Sequence, residues 1–221
     1  MKPPVTDPLK EPSEPNIEDA PHGDPLEDLL RGYVDRFIAN NRAAKAIAND
    51  LRVIGIGLKP LVDYLGFFSH RITDRAKEFK ALGYVHRGKT WSVKDRDWRA
   101  KVYCRAGYPS VIIYEGGPGK SRRSSEVEQW FRQFGGETPH HLAVKVDNLE
   151  NGIFYLEKQG IAFTGKSVGS KDAKLRQVFA RPDFKEGRPY TVLELTERHG
   201  GYRGFIPDHM VSLMKTFWTA K

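Results

Sequence analysis

Cysteine is nearly missing from this chain of 221 residues. Cys104 stands alone, so no internal disulfide can form, and a cytoplasmic protein is expected. No apolar run approaches the roughly 20 residues that span a bilayer. Met1-Lys2-Pro3-Pro4 has no hydrophobic signal core behind it, so no membrane partner is expected. Zinc-cluster spacings are lacking, as are the spacings of nucleophile triads. A phosphate loop is lacking too. Gly116-Gly117-Pro118-Gly119-Lys120-Ser121 has the flavour of one, but the glycine required five positions before Gly119 is Tyr114. Pro118 also removes an N–H that a phosphate cradle needs. Clustered apolar residues are scarce in residues 1–25, which carry seven prolines (3, 4, 8, 12, 15, 21, 25) and many acids. Such a segment cannot bury enough surface to offset its ordering entropy, which predicts a disordered tail.

Charge is present in quantity but unevenly spread. The formal net charge is +8, yet residues 1–28 hold eight acids against Lys2 and Lys10, a net −6 that leaves +14 on the rest. A basic body attracts nucleic acid or steers a small anionic substrate. The run Lys120, Arg122, Arg123 has no interleaved aromatic platform, so the small anion is the expected partner and nucleic acid is not. From Pro25 onward Leu26, Leu29, Leu30, Val34, Phe37 and Ile38 fall at helical spacing. A second helix is predicted over 42–53, ended by Gly55 and Gly57.

The most informative feature is a repeat. Sliding the chain by 77 residues lays Tyr64-Leu65-Gly66-Phe67 on His141-Leu142-Ala143-Val144. The same shift lays Gly83 on Gly160, Gly88-Lys89 on Gly165-Lys166, and Lys94-Asp95 on Lys171-Asp172, without a gap. Each copy reads strand, helix, three strands, the last being Ser110-Val111-Ile112-Ile113-Tyr114 or Thr191-Val192-Leu193-Glu194-Leu195. The predicted fold class is α+β: two tandem βαβββ modules forming a curved mixed sheet around a central cup, with N-terminal helices and a C-terminal helix. The expected divisions are a tail over 1–25, a helical lead-in over 26–57, module one over 58–116 and a linker with a short helix over 117–137. Module two then covers 138–206, and a helix over 207–221 carries Asp208 as its N-cap.

Side chains alternate along a strand, so the head of each first strand and the middle of each last strand point into the cup. In module two these positions hold His141 and Glu194. An imidazole with a carboxylate suits Fe²⁺, Mn²⁺ or Zn²⁺ when a third ligand joins and open positions remain for substrate. Gln177 and Lys101 hold matched third-strand positions, and Arg105 and Arg181 match as groups that cap strand ends or hold an anionic head group. His70, His86, His199 and His209 lack partners at ligand spacing and read as surface or structural, with His86 a remote substitute ligand.

The segments His140-His141-Leu142-Ala143-Val144-Lys145-Val146-Asp147 and Leu175-Arg176-Gln177-Val178-Phe179 resemble ligand strands of the vicinal-oxygen-chelate superfamily. Thr191 to Arg198 and Gly200 to Phe205 extend the likeness. The likeness is to 4-hydroxyphenylpyruvate dioxygenase and 2-oxoadipate dioxygenase type proteins, over roughly residues 29–205. It implies Fe(II), with Mn(II) or Zn(II) as alternatives, held by His141 and Glu194. It also implies O2-dependent oxidation of a small carboxylated, 2-oxo acid substrate. Gln177 would face the pocket, Arg181 and Tyr64 would contact substrate, and Phe205 with the terminal helix would close the site. Tyr64 stands where the resemblance calls for a second histidine, Phe68 where it calls for an arginine, and the opposite carboxylate position falls near Ile113. The expectation is thus a metal-dependent dioxygenase or lyase, or else a degenerate relative that binds a small ligand without metal catalysis.

Overall fold

Asp24 accepts a hydrogen bond from the Leu26 N–H at 3.0 Å, and Pro25 occupies the first turn that tolerates it, so α1 (Pro25–Ala39) starts where the sequence predicts. The computed structural model describes residues 24–53, 61–93, 97–117 and 125–220. The predicted acidic tail, Gly55 and Gly57, and most of the glycine-rich linker lie outside these. After α2 (Arg42–Val53) come β1 (Val62–Phe68), α3 (Ile72–Ala81), β2 (Val85–Val93), β3 (Trp98–Cys104) and β4 (Ser110–Gly116). Helix α4 (Glu126–Phe134) leads to β5 (His141–Lys145), α5 (Leu149–Lys158), β6 (Phe163–Val168) and β7 (Leu175–Ala180). The chain continues through β8 (Asp183–Lys185), β9 (Arg188–Arg198) and α6 (Pro207–Thr219). No helix among the described residues is long and apolar enough to cross a membrane.

One open sheet runs β2-β3-β4-β1-β5-β9-β7-β6, with β8 paired to β9. The order reads the same from either end. Each half places its first strand parallel to its last, and the halves meet where β1 runs antiparallel to β5. The repeat extends to side chains. The Glu115 carboxylate accepts the Ile72 N–H at the start of α3 and is paired with Arg99. Glu197 accepts the Leu149 N–H at the start of α5 and is paired with Arg176. A carboxylate at each helix N-terminus meets orphan donors and the positive end of the helix dipole. Gly83 and Gly160, at φ 84° and 76°, end the two helices in the left-handed conformation that glycine adopts without strain.

Period-two alternation sorts the strands into two cores. Leu65, Phe67, Val111, Ile113, Leu142, Val144, Val178, Leu193 and Leu195 face outward, under α1, α2, α3 and α5. Tyr64, Phe68, Ala100, Ile112, Tyr114, Ala143, Phe179 and Val192 face the concave side. That side is filled: α4 contributes Val127 and Trp130, and α6 contributes Met210, Leu213, Met214 and Phe217, all buried. The central cup is therefore covered by α4 and α6.

Two expectations are corrected and one element is added. Asp208 is not the N-cap of α6; Ile206 holds that place and Pro207 opens the helix, its missing N–H costing nothing in the first turn. The 183–189 segment folds as a β8–β9 hairpin around Glu186-Gly187, both at positive φ, and carries β9 back to Arg188. The counterpart of Glu194 is Ile112 rather than Ile113. β1 aligns Gly66 with Ile112 just as β5 aligns Ala143 with Glu194, and Ile113 packs on the outer face.

Candidate functional site

His141 and Glu194 sit on adjacent strands. Parallel pairing sets His141 opposite Val192 and Ala143 opposite Glu194, which makes the imidazole and the carboxyl diagonal neighbours on the concave face. Across the half-to-half seam Gly66 lies opposite His141, and Tyr64 opposite Ala143. A Cβ at residue 66 would collide with the His141 ring, so glycine is what lets that ring lie over β1.

Burial governs the chemistry. His141, Glu194 and Tyr64 are wholly buried, and Gln177 very nearly so. The Gln177 amide donates to the Tyr64 hydroxyl at 3.0 Å and to the Glu194 carboxyl at 2.7 Å. Tyr64 also hydrogen-bonds the Glu194 carboxyl. His209 from α6 reaches Gln177 Oε1 at 3.3 Å, and the Phe205 ring packs edge-on against Tyr64 at 5.1 Å. Desolvation pushes the Glu194 carboxyl up to about 8, with the hydrogen bonds from Tyr64 and Gln177 only partly opposing it. The same burial pulls His141 down to about 3 and raises Tyr64 and Tyr114 well above the ordinary phenol range, the Glu194 charge adding to the rise. Without an added charge these four groups are mostly neutral at pH 7.

Three buried polar atoms have no hydrogen-bond partner here: His141 Nε2, Glu194 Oε2 and the Tyr114 hydroxyl. Tyr114 packs on His141 at 5.8 Å and feels the Glu194 charge. Orphaned buried polar atoms cost about 1–3 kcal/mol each, so something that bridges them is favoured. His141 and Glu194 are the two side chains of metal-ligand type among these groups. A three-ligand site does not fit: the described residues contain no group of three His, Cys, Asp or Glu side chains that could hold a metal. Tyr64, beside His141 and Glu194, is held protonated by burial.

Of the sequence-predicted site residues, the structure brings together His141, Glu194, Gln177, Tyr64 and Phe205. Arg181 is left out; it is exposed just past the end of β7, its backbone N–H bonded to Ala162. Two residues were missed. His209 reads as surface or structural in the sequence, but α6 carries it to Gln177. Tyr114 reads in the sequence as the residue that breaks a phosphate-loop pattern and as the end of an apolar strand. Its signal was available, since it sits on the same strand face as Ile112.

This sheet, with paired βαβββ halves and facing cup positions, is the vicinal-oxygen-chelate fold. Among solved structures, a conjectured hydrolase of Shewanella frigidimarina NCIMB 400 superposes with a TM-score of 0.66 at 17% identity, over 82% of this chain and 98% of its own. A conjectured glyoxalase-superfamily protein of Ralstonia eutropha JMP134 gives 0.60 at 12% identity, over 81% and 85%. A triple mutant of 4-hydroxymandelate synthase from Streptomyces coelicolor gives 0.58 at 19% identity, over 73% of this chain and 54% of that one, so this chain spans about half its length. No protein-family model and no curated protein matches the sequence.

Proposed function

We propose that the protein is a metal-dependent enzyme of the vicinal-oxygen-chelate fold, a dioxygenase or lyase acting on a small carboxylated substrate of the 2-oxo acid kind. The observation that carries this reading is the pair of partnerless buried atoms, His141 Nε2 and Glu194 Oε2, on diagonal positions of β5 and β9. An imidazole and a carboxylate suit Fe(II) first, Mn(II) or Zn(II) next. When bound, the ion would polarise vicinal substrate oxygens and keep a position for O2 or water. Gln177 holds Tyr64 and Glu194 in place through its two amide protons. Tyr64, Gln177 and Phe205 are proposed to contact substrate, with Phe205 and α6 excluding bulk water. The +14 body favours an anion.

A second reading has one specific support. The Tyr64 hydroxyl is satisfied by Gln177 and Glu194 with no ion present, so the cup can serve a small ligand that hydrogen-bonds to a neutral Glu194. Metal analysis separates the two. Protein isolated without added metal, and then reloaded anaerobically with Fe(II), should hold close to one ion per chain, and His141→Ala and Glu194→Ala should each lose it. Substoichiometric metal that neither substitution changes sinks the enzyme reading and leaves the metal-free binder.

A further inference from the structure

His140 has no part in the function proposed above, yet it is wholly buried, and its Nδ1 lies 2.8 Å from Nδ1 of His141. Two such nitrogens can form only one hydrogen bond, with one donating and the other accepting. Which one donates decides what His141 presents to the cup.

The surroundings of His140 answer the question. On the His140 side, the ring stacks on Phe68 at 3.9 Å and stands perpendicular to Phe217 at 4.2 Å and Trp130 at 5.9 Å. His140 Nε2 is buried and partnerless in this aromatic cage. Trp130 Nε1 is taken by the Tyr190 carbonyl, and Trp218 Nε1 makes no hydrogen bond to His140. An N–H in such a cage has aromatic faces as weak acceptors, whereas a bare lone pair has no N–H or O–H bonded to it. The cage therefore favours a proton on His140 Nε2, which leaves Nδ1 as the acceptor. On the cup side, His141 Nε2 is buried and partnerless too, with the Tyr64 and Tyr114 rings edge-on to the imidazole at 5.5 and 5.8 Å, so nothing there opposes that arrangement.

We infer that His140 is a positioning residue: its Nδ1 accepts the Nδ1–H of His141, fixing the tautomer in which His141 Nε2 carries a bare lone pair. An imidazole left alone carries its proton mostly on Nε2, where it could not bind a cation without first rearranging. Metal-ligating histidines usually donate their other N–H to a carboxylate or a carbonyl; here a second imidazole does the work. The backbone holds that imidazole still, because the His140 N–H bonds to Gly66 and its carbonyl accepts from Val192, one on each side of the seam. The consequence for metal affinity rests on the proposed metal reading, while the tautomer itself does not.

The test is long-range ¹H–¹⁵N correlation of the histidine rings in ¹⁵N-labelled, chelator-treated protein at pH 7. His141 should show a protonated, pyrrole-type Nδ1 and a pyridine-type Nε2, with His140 the reverse. A pyridine-type Nδ1 on His141 overturns the inference. His140→Phe keeps the stack with Phe68 and removes the acceptor. In that variant His141 should shift to the Nε2–H form, and retention of the Nδ1–H form overturns the inference as well. Titration with Mn²⁺ gives the second arm, in which His140→Phe should weaken binding by about 10–100-fold. If the wild type binds no ion at all, the metal reading falls, and the ring resonances alone decide the role of His140.

Discussion

At Glu194 the protein stores a conflict between folding and charge. In the unfolded chain this carboxyl gives up its proton near 4.5, in the folded one near 8, so between those values folding takes up a proton and stability falls as pH rises. His141 acts with the opposite sign. Its value drops from 6.5 to about 3, so acidification between those limits favours the unfolded chain, and His140 is depressed in the same direction. Metal-free protein should therefore be most stable at about pH 6.5. Glu194→Gln should raise its stability at pH 7 by something on the order of 3 kcal/mol. Denaturant midpoints across pH 5–9 check this, and an unchanged alkaline slope in the variant would contradict it. Gly66 makes a second prediction at this scale. Gly66→Ala places a methyl group in the His141 ring, which has to move, so metal binding should be lost along with about 1–3 kcal/mol of stability. Isothermal titration and thermal melts read the two effects separately.

The elements show how far the sequence could be read. The repeat register, both module helices and the α4 limits lie open in apolar spacing and in Gly83 and Gly160, because local geometry sets them. The contents of the cup do not show, because which face of α6 meets which strands is decided by packing across the whole chain. Met210, Leu213, Met214 and Phe217 spell an amphipathic helix in sequence; only the fold shows that they bury the concave face and bring His209 to Gln177. For the same reason Arg181, a good candidate by register, ends outside the site. Since His141 and Glu194 are wholly buried, a substrate reaches them only when a covering element shifts. α6 meets the sheet through side chains alone, whereas the strands beneath it are tied by backbone ladders. Amides of 208–219 should thus exchange faster than those of β5 and β9, and should slow when a ligand fills the cup. Hydrogen exchange followed by mass spectrometry measures both rates, and equal protection of helix and strands would place the entrance elsewhere.

For the molecule as a whole, the site and the seam are the same place. Tyr64 and Tyr114 come from the first half, His141, Gln177 and Glu194 from the second, and the sheet passes through them without a break. A half-buried ion pair fastens the seam: Arg198 at the end of β9 meets Asp63 on β1 at 2.7 Å, and Thr196 donates to the same carboxylate. Arg198 also donates to the Gly204 carbonyl at 2.7 Å and lies over the Phe205 ring, so one guanidinium ties both halves to the segment that covers Tyr64. Removing it leaves a half-buried carboxylate with Thr196 as a remaining donor, a change that should cost about 1–3 kcal/mol. Arg198→Ala should lower the guanidinium midpoint accordingly. Because the halves share one sheet and one inner core, far-UV dichroism and tryptophan fluorescence should still trace a single coincident transition. Trp98 reports on the first half, and Trp130 packs against Tyr190 of the second, so the fluorescence samples both. If the two probes separate in the wild type, the halves are independent folding units, and the site would form only when they dock. If they separate only in Arg198→Ala, the Asp63–Arg198 pair is the clasp that makes two repeats into one molecule.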